Sequence, residues 1–244
     1  MIGRIIWFVA LASIATLTAM LQADMQTRKV PALAAVVPEP LRDQAQQQIA
    51  RAAFAGDNPA RALAEAEKLV QRRPVPAEHL TLLAVAQTKA GQTEAGLRTI
   101  QIAGRRGWRE PVAQEAMLRL ALAAGERPEA ARRYAALFLR SATTDGLLTE
   151  LGPAVLDGPD GSGRDTMVAI VVGAERWHTT FLRRGAKVMP PAAFATIAID
   201  SMSRGVAFDC NTLKIGIQTL AKRDADATAR LRSAAQRRCP ALGA

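Results

Sequence analysis

The residues of this chain that could carry out chemistry are few and widely separated. Its two histidines are His79 and His178, and its two cysteines, Cys210 and Cys239, lie outside any C-x-x-C spacing. A nucleophilic enzyme needs a base beside its serine or cysteine, and a zinc site needs ligands at short regular spacings. Neither pattern occurs, and neither do the H-E-x-x-H, G-x-S-x-G and S-x-x-K motifs. We therefore predict a protein that is not an enzyme and that has no cofactor and no metal site.

One glycine-rich acidic segment, LDGPDGSGRD at residues 156 to 165, comes closest to a ligand-binding loop. Its Asp157, Asp160 and Asp165 could bind calcium, and its glycines could surround a phosphate. It lacks the acidic spacing and final glutamate of a calcium loop, and the Gly-Lys-Ser/Thr of a phosphate loop. The sequence therefore predicts an exposed turn.

The two cysteines favour an oxidising compartment. A sparse, even pair is typical of a structural disulfide, which persists outside the cytoplasm. We predict that Cys210 and Cys239 are joined. Two unrelated buried thiols are the alternative.

The amino terminus carries a long apolar run without charge, from residue 5 to residue 23. As a helix these residues span about 28 Å, close to the thickness of the hydrocarbon layer of a bilayer. Residues 1 to 23 are therefore predicted to be a transmembrane anchor. A signal peptide cut after Leu21-Gln22-Ala23 is the alternative, although such segments have a shorter apolar core.

Charges on the two sides of this run are nearly balanced, because Arg4 and the terminal amine precede it, and Arg28 and Lys29 follow it after the negative Asp24. The predicted disulfide decides the orientation. We expect a single-pass protein of the bacterial inner membrane, with its soluble part in the periplasm. Residues 24 to 40 contain three prolines and are predicted to be a linker that holds the soluble part away from the membrane.

The net charge is +10, and aromatic residues make up only 4% of the chain. The arginine pairs are scattered, and no aromatic side chains alternate with them as a nucleic-acid surface would require. We therefore predict no nucleic-acid partner. If the chain is exported, its positive charge favours contact with an anionic lipid or an acidic polysaccharide over a nucleic acid.

Between these segments an alanine-rich pattern repeats. Gly56, Gly91 and Gly125 are spaced by 35 and 34 residues, and each separates two amphipathic helical runs. A glycine at the end of the first helix suits a left-handed turn. The second helix then carries small and apolar residues, which we predict to be buried between paired helices: Ala62, Ala66, Leu69, Gly96, Ile100, Ala103, Ala130, Tyr134 and Leu137.

This period and these small positions resemble the tetratricopeptide repeat over roughly residues 40 to 142. Gln114 and Ala121 stand where the family has large aromatics, and one extra residue occurs near Asn58-Pro59. An alanine-rich helical bundle is the alternative.

The resemblance implies an all-α fold in which residues 41 to 142 form an antiparallel helix-pair α-solenoid. It also implies a groove, lined by the first helix of each pair, that binds a partner protein or peptide. The partner-binding candidates on these helices are Gln87, Gln114 and Arg119, with His79 near the rim.

Residues 143 to 244 do not keep the period and are predicted to form a degenerate helical cap. Four helices are expected, at residues 165 to 184, 191 to 204, 209 to 222 and 225 to 238, with Asp209 or Asn211 capping the third. The whole pattern favours a membrane-tethered interaction scaffold of the cell envelope. The alternative is an envelope enzyme or sugar-binding accessory protein with a site around Trp177, His178 and Asp209.

Overall fold

The computed structural model describes residues 2 to 242, and all regular structure in that range is helical, which confirms the predicted all-α class. Contacts within the chain divide it into two compact units, and their boundary along the sequence falls between Gly107 and Trp108, inside the predicted repeat segment. The α-helices are α1 (Ile2–Gln26), α2 (Gln44–Ala55), α3 (Pro59–Arg72), α4 (Ala77–Lys89), α5 (Thr93–Arg106), α6 (Pro111–Ala123), α7 (Arg127–Phe138), α8 (Asp145–Leu156), α9 (Ser162–Val172), α10 (His178–Thr180), α11 (Ala186–Val188), α12 (Pro191–Ser203), α13 (Cys210–Ala221) and α14 (Ala225–Gln236).

The first helix, α1, is long and apolar enough to cross a membrane. Its apolar side chains are exposed, and its one buried residue is Asp24, in its last turn. A helix of 25 residues is about 37 Å long, which exceeds the hydrocarbon thickness of a bilayer. A signal sequence has the same features, so both predictions for this segment fit the helix.

In the first unit, consecutive helices pack as neighbours: α2 contacts α3, α3 contacts α4, and α4 contacts α5. The side chains between them are small. Ala62, Ala66 and Ala86 form one buried cluster, with Phe54 packed against it. Because alanine brings helix backbones close together, the interior of this unit depends on close fit more than on large apolar side chains.

The burial predicted for the nine small and apolar repeat positions is confirmed. Every one of them is buried, and Ile100 is 8% exposed. At Gly96 a Cβ atom would overlap the hydroxyl of Thr88 and would lie 2.8 Å from the carbonyl oxygen of Ala84. That distance is below van der Waals contact, so α4 and α5 can approach as they do only because residue 96 has no side chain.

The three turn glycines do not share one conformation. Gly91 and Gly125 have φ angles of 81° and 74°, in the left-handed region that was predicted. Gly56 instead has φ −85° and ψ 175°, so the left-handed prediction is wrong there. The extra residue of this unit explains the difference. With this residue in the turn, Asn58 lies at the N-cap of α3. Its side-chain oxygen accepts a hydrogen bond from the backbone N–H of Arg61 at 3.0 Å.

The second unit contains one continuous apolar core. Its largest fully buried side chains include Tyr134, Phe181 and Phe194. Helix α7 is central because it packs on α6, α8 and α9, while α12 packs on α9 and α14. The hydroxyl of Tyr134 donates to the carbonyl oxygen of Leu148 at 3.1 Å, and burial raises the pKa of this phenol.

Three of the four carboxy-terminal helices were predicted correctly, and they correspond to α12, α13 and α14, with Asp209 as the cap of α13. The prediction of one helix over residues 165 to 184 is wrong. Helix α9 ends at Val172, and an irregular helical segment with a π-helical turn, Phe181–Gly185, follows it. Arg184 in this turn donates hydrogen bonds to the carbonyl oxygens of Phe138 and Arg140, which holds the segment against the end of α7.

The glycine-rich segment at residues 156 to 165 is only partly the exposed turn that was predicted. Gly158 and Gly163 are buried. A Cβ atom on Gly163 would overlap the carbonyl oxygen of Val155, so this glycine allows the start of α9 to lie directly against α8. Gly163 therefore serves helix packing.

Residues 24 to 40 are folded against the first soluble helix instead of forming a free linker. Two 3-10 turns, Pro31–Ala35 and Glu39–Leu41, contact α1, and the first of them also contacts α2. Ala34 and Val37 are buried together with Ala45 of α2. The three prolines here favour tight turns, and the burial of Ala34 and Val37 stabilises those turns.

The carboxylate of Asp24 joins the end of α1 to the beginning of α2. It is 3% exposed, and it accepts the backbone N–H groups of Asp43, Gln44 and Ala45 at 3.0, 2.9 and 2.8 Å. These donors have no partner within the first turn of a helix, where the helix dipole also favours a negative charge. Asp43, at the usual capping position, makes no side-chain cap. The cap is therefore supplied from about 20 residues upstream.

We expect Asp24→Asn to lower the free energy of unfolding of the first unit by about 2 kcal/mol, because an amide places an NH2 group among three donors. Urea unfolding of the full chain in detergent, followed by far-ultraviolet circular dichroism, measures this change. Asp57→Asn, at an exposed position between α2 and α3, removes the same charge and should have an effect below about 0.5 kcal/mol. Equal effects of the two substitutions would show that the cap does not hold α2.

Candidate interaction site

The four residues predicted to bind a partner are divided between the two units and differ in accessibility. In the first unit, His79 is 1% exposed, and its Nδ1 lies 3.0 Å from the carbonyl oxygen of Arg73. This differs from the rim position expected from the sequence, because the ring supports the turn after α3. Gln87 is half-buried, and its side-chain oxygen is enclosed without a hydrogen-bond partner.

In the second unit, Gln114 is 1% exposed and accepts a hydrogen bond from Nη1 of Arg133 at 3.0 Å. Arg119 is exposed and forms ion pairs with Glu115 and Glu150 at 2.9 and 3.1 Å. Arg119 is therefore the most accessible of the four candidates. Gln114 is buried, so it can contribute to a binding surface by positioning Arg133.

A cleft of about 330 Å³ opens on the second unit beside Gln114. Its walls come from the turn before α6, from α7, from α9 and from the 3-10 turn Glu175–Trp177. The side chains that line it combine two indole rings, two guanidinium groups, a carboxylate and an amide with small apolar groups: Trp108, Gln114, Glu129, Arg132, Arg133, Ile170 and Trp177. Aromatic and charged groups therefore meet in this cleft.

Hydrogen bonds fix the charged side of the cleft. Glu129 accepts from Nε of Arg133 at 2.7 Å and from Nη1 of Arg132 at 2.8 Å. Burial alone would raise the pKa of the Glu129 carboxyl, but these two arginines hold the pKa below its usual value. Glu129 is therefore an anion between two cations, and the lining of the cleft has a net positive charge.

The aromatic side of the cleft also lies next to arginines. Trp108 is 47% exposed, and the guanidinium of Arg109 lies 4.8 Å from the centre of its ring. Trp177 is half-buried, with the guanidinium of Arg176 at 5.9 Å. The sequence analysis did not predict this cleft. The available signal was that both tryptophans outside the apolar amino terminus stand next to an arginine.

The residues of the alternative hypothesis form structural contacts. Nε2 of His178 lies 2.9 Å from the carbonyl oxygen of Val171, and its ring meets Phe208 edge-on at 5.1 Å. Asp209 accepts the backbone N–H and the hydroxyl of Thr212 at 2.8 and 2.7 Å, and these hydrogen bonds lower the pKa of its carboxyl. Both side chains hold neighbouring backbone in place. Trp177, the third residue of this set, lines the cleft described above.

The structure joins Cys210 and Cys239 by a disulfide, with 5.8 Å between their Cα atoms. Cys210 is the first residue of α13, and Cys239 follows the end of α14. The bond therefore ties the two ends of the last helix pair together.

Among residues 2 to 242, no group of three or more histidine, cysteine, aspartate or glutamate side chains is placed to hold a metal ion. No known protein family, curated protein or solved structure matches the sequence. The site is therefore interpreted from its own residues.

Proposed function

We propose that this chain is a membrane-tethered interaction scaffold of the bacterial cell envelope, which binds a partner protein or peptide through its soluble helices. The observation that carries the proposal is the junction at Asp24. An exposed apolar helix long enough to cross a membrane ends in a carboxylate that caps the first soluble helix. On this proposal the junction holds α2 at the membrane in a fixed register with the anchor.

Further contacts at the junction support this proposal. Gln44 of α2 accepts hydrogen bonds from Arg28, just after α1, and from Arg73, at the end of α3, at 2.9 and 2.8 Å. The hydroxyl of Thr27 donates to the carbonyl oxygen of Asp24 at 2.6 Å. A flexible tether would need none of these contacts, whereas a scaffold gains from a defined orientation on the membrane.

The helical repeat is the second part of the proposal. Adjacent helices of similar length, joined by short turns at a period near 34 residues, suit a tetratricopeptide-like solenoid, which presents a surface for partners. The contacts of α2 with α3, α4 with α5 and α6 with α7 are compatible with such pairs. The soluble part belongs in the periplasm on this proposal, where a disulfide is stable.

Photocrosslinking in native membranes tests the scaffold function. We would place a benzophenone amino acid at Gln87 or Arg119, in full-length protein, and identify crosslinked proteins by mass spectrometry. Arg51 and Ser233, which are exposed on α2 and α14, serve as control positions. We expect one partner to be enriched from the test positions over the controls. The same proteins at all four positions, or none at any, would contradict the proposal.

A carboxy-terminal alkaline-phosphatase fusion tests the predicted side of the membrane. Activity requires disulfide formation in the fused enzyme, so an active fusion places the soluble helices outside the cytoplasm. An inactive fusion that is expressed at the same level would place them in the cytoplasm.

A further inference from the structure

We propose that the cleft of the second unit, lined by Trp108 and Trp177, is the partner-binding site, and that it takes a linear acidic peptide. The occupant is a segment in which an apolar side chain stands next to an aspartate or glutamate. The inference rests on the proposed scaffold function and assigns a site and a ligand chemistry to it.

The apolar half of this ligand follows from the indole rings. Aromatic residues are 4% of the chain, yet both tryptophans outside α1 line the same cleft. Trp108 keeps 47% of its surface exposed, although burying an indole ring is strongly favourable. Tryptophan and arginine are the residues that most often dominate the energy of protein interfaces. At about 330 Å³ the cleft accommodates one large side chain and its neighbours in a peptide.

The acidic half follows from charge. Two guanidinium groups and one carboxylate line the cleft, and Arg109 and Arg176 flank the two tryptophans. Arg133 uses Nε, Nη1 and Nη2 for Glu129 and Gln114, so it is a positioning residue. Arg132 has a side chain that is 61% exposed and is the cation available to a partner's carboxylate. A partner of opposite charge would also be steered towards this surface.

An acidic polysaccharide offers a carboxylate too, but the hydrogen-bond acceptors and the apolar walls of the cleft favour a peptide. Sugar hydroxyls require several donors and acceptors to replace their hydrogen bonds with water. Both oxygens of Glu129 and the side-chain oxygen of Gln114 already accept hydrogen bonds within the protein. The remaining walls are indole rings, Ile170 and alanines, which suit an apolar side chain.

Selection from a random library tests the chemistry of the ligand. Phage-displayed dodecapeptides would be panned against the full chain in lipid nanodiscs, with empty nanodiscs as the counter-selection. We expect enriched peptides to share an aromatic or aliphatic residue beside aspartate or glutamate. A fluorescently labelled copy of the leading peptide, followed by anisotropy, then gives dissociation constants, and an amide copy with each acid replaced should bind at least tenfold more weakly.

Point substitutions locate the site. Trp108→Ala and Arg132→Gln should each raise the dissociation constant about tenfold, the range of interface residues that dominate binding. Arg230→Gln, which removes the charge of an exposed arginine on α14, should change it less than twofold. In a Trp7→Phe background the only indoles are those of the cleft, so peptide binding should also shift the tryptophan emission.

Three results of the binding experiments would overturn the inference: enriched peptides without acidic residues, equal affinity for all variants, or saturable binding of hexagalacturonate in place of peptides. The crosslinking experiment keeps this outcome separate from the scaffold function. If the Trp108→Ala, Arg132→Gln protein still crosslinks its membrane partner at unchanged yield, the cleft is not the site although the scaffold function stands. If no partner crosslinks to the unsubstituted chain, the scaffold function itself fails.

Discussion

Replacing Gly96 by leucine is expected to unfold the amino-terminal unit at temperatures where the unsubstituted protein is folded. A Cβ atom at this position would lie 2.8 Å from the carbonyl oxygen of Ala84, and the rest of a leucine side chain would extend further into α4. The Cβ atom would also overlap the hydroxyl of Thr88, but the contact with Ala84 is with backbone, which cannot move aside as a side chain can. Overpacking of this kind costs about 3 kcal/mol or more, a large part of the stability of a small domain.

A graded series separates packing from helix propensity. Alanine is favoured over glycine in a helix by about 1 kcal/mol, so Gly96→Ala should stabilise α5 if nothing lies against it. We expect the opposite, a melting temperature lowered by several degrees, and a fall on the order of 10 °C or more for Gly96→Leu. Circular dichroism at 222 nm measures the melting, and hydrogen exchange shows whether α4 and α5 lose protection.

Gly146→Leu is the matched control. Gly146 lies in the first turn of α8, and a Cβ atom there would meet no heavy atom within 4 Å. The same change should leave the melting temperature unchanged or raise it. An unaltered melting temperature for Gly96→Leu would show that α4 and α5 do not pack at this position, and the predicted register of the repeat would then be wrong.

The positions of the helices were largely predictable because small residues at helical spacing leave few alternatives. Ala62, Ala66 and Leu69 share one face of α3, and all three are buried as expected. The left-handed turns at Gly91 and Gly125 followed from the same local rules. Local chemistry determines these features, so a single sequence is enough to find them.

Contacts between distant residues were not predictable from the same rules. The cap from Asp24 to α2 crosses about 20 residues, and a lone aspartate after an apolar run looks like an ordinary boundary charge. The segment at residues 24 to 40 was interpreted from its prolines as a linker, whereas Ala34 and Val37 are buried against α2. Apolar side chains that are few and scattered give no periodic signal, although they are sufficient to anchor a short turn.

The candidate site shows the same limit. Gln114 was predicted to line the groove from its place in the repeat. The structure shows it buried, with its side-chain oxygen accepting a hydrogen bond from Arg133. Trp108 and Trp177 line one cleft because the turn before α6 and the turn after α9 both lie beside α7. The proximity of the two tryptophans depends on how α9 packs on α7. The repeat does not continue after residue 142, so the sequence pattern could not predict that packing.

Loss of the disulfide is the second large effect that we expect. In the chain-entropy model a bond that closes a loop of 29 residues stabilises the fold by about 3.5 kcal/mol. Helix α14 needs this contribution, because its buried apolar face is Ala227, Leu231 and Ala235, and two of these are alanines. We predict that Cys210→Ser combined with Cys239→Ala lowers the free energy of unfolding by this amount, and that hydrogen exchange speeds up first in α14.

Reductant provides the control within one preparation. It should lower the melting temperature of the unsubstituted chain towards that of the cysteine-free variant, and it should leave the variant unchanged. Equal sensitivity of both proteins would attribute the effect to something other than this bond.

The state of the cysteines in cells connects stability with location. Protein taken from native membranes, with free thiols alkylated before lysis, should show no alkyl group by intact mass unless it is first reduced. Two alkylated cysteines without reduction would mean that the last helix pair folds without its bond and that the soluble helices are in a reducing compartment. In that case the cysteine-free variant should be as stable in cells as the unsubstituted chain, and pulse-chase turnover of the two proteins measures this directly.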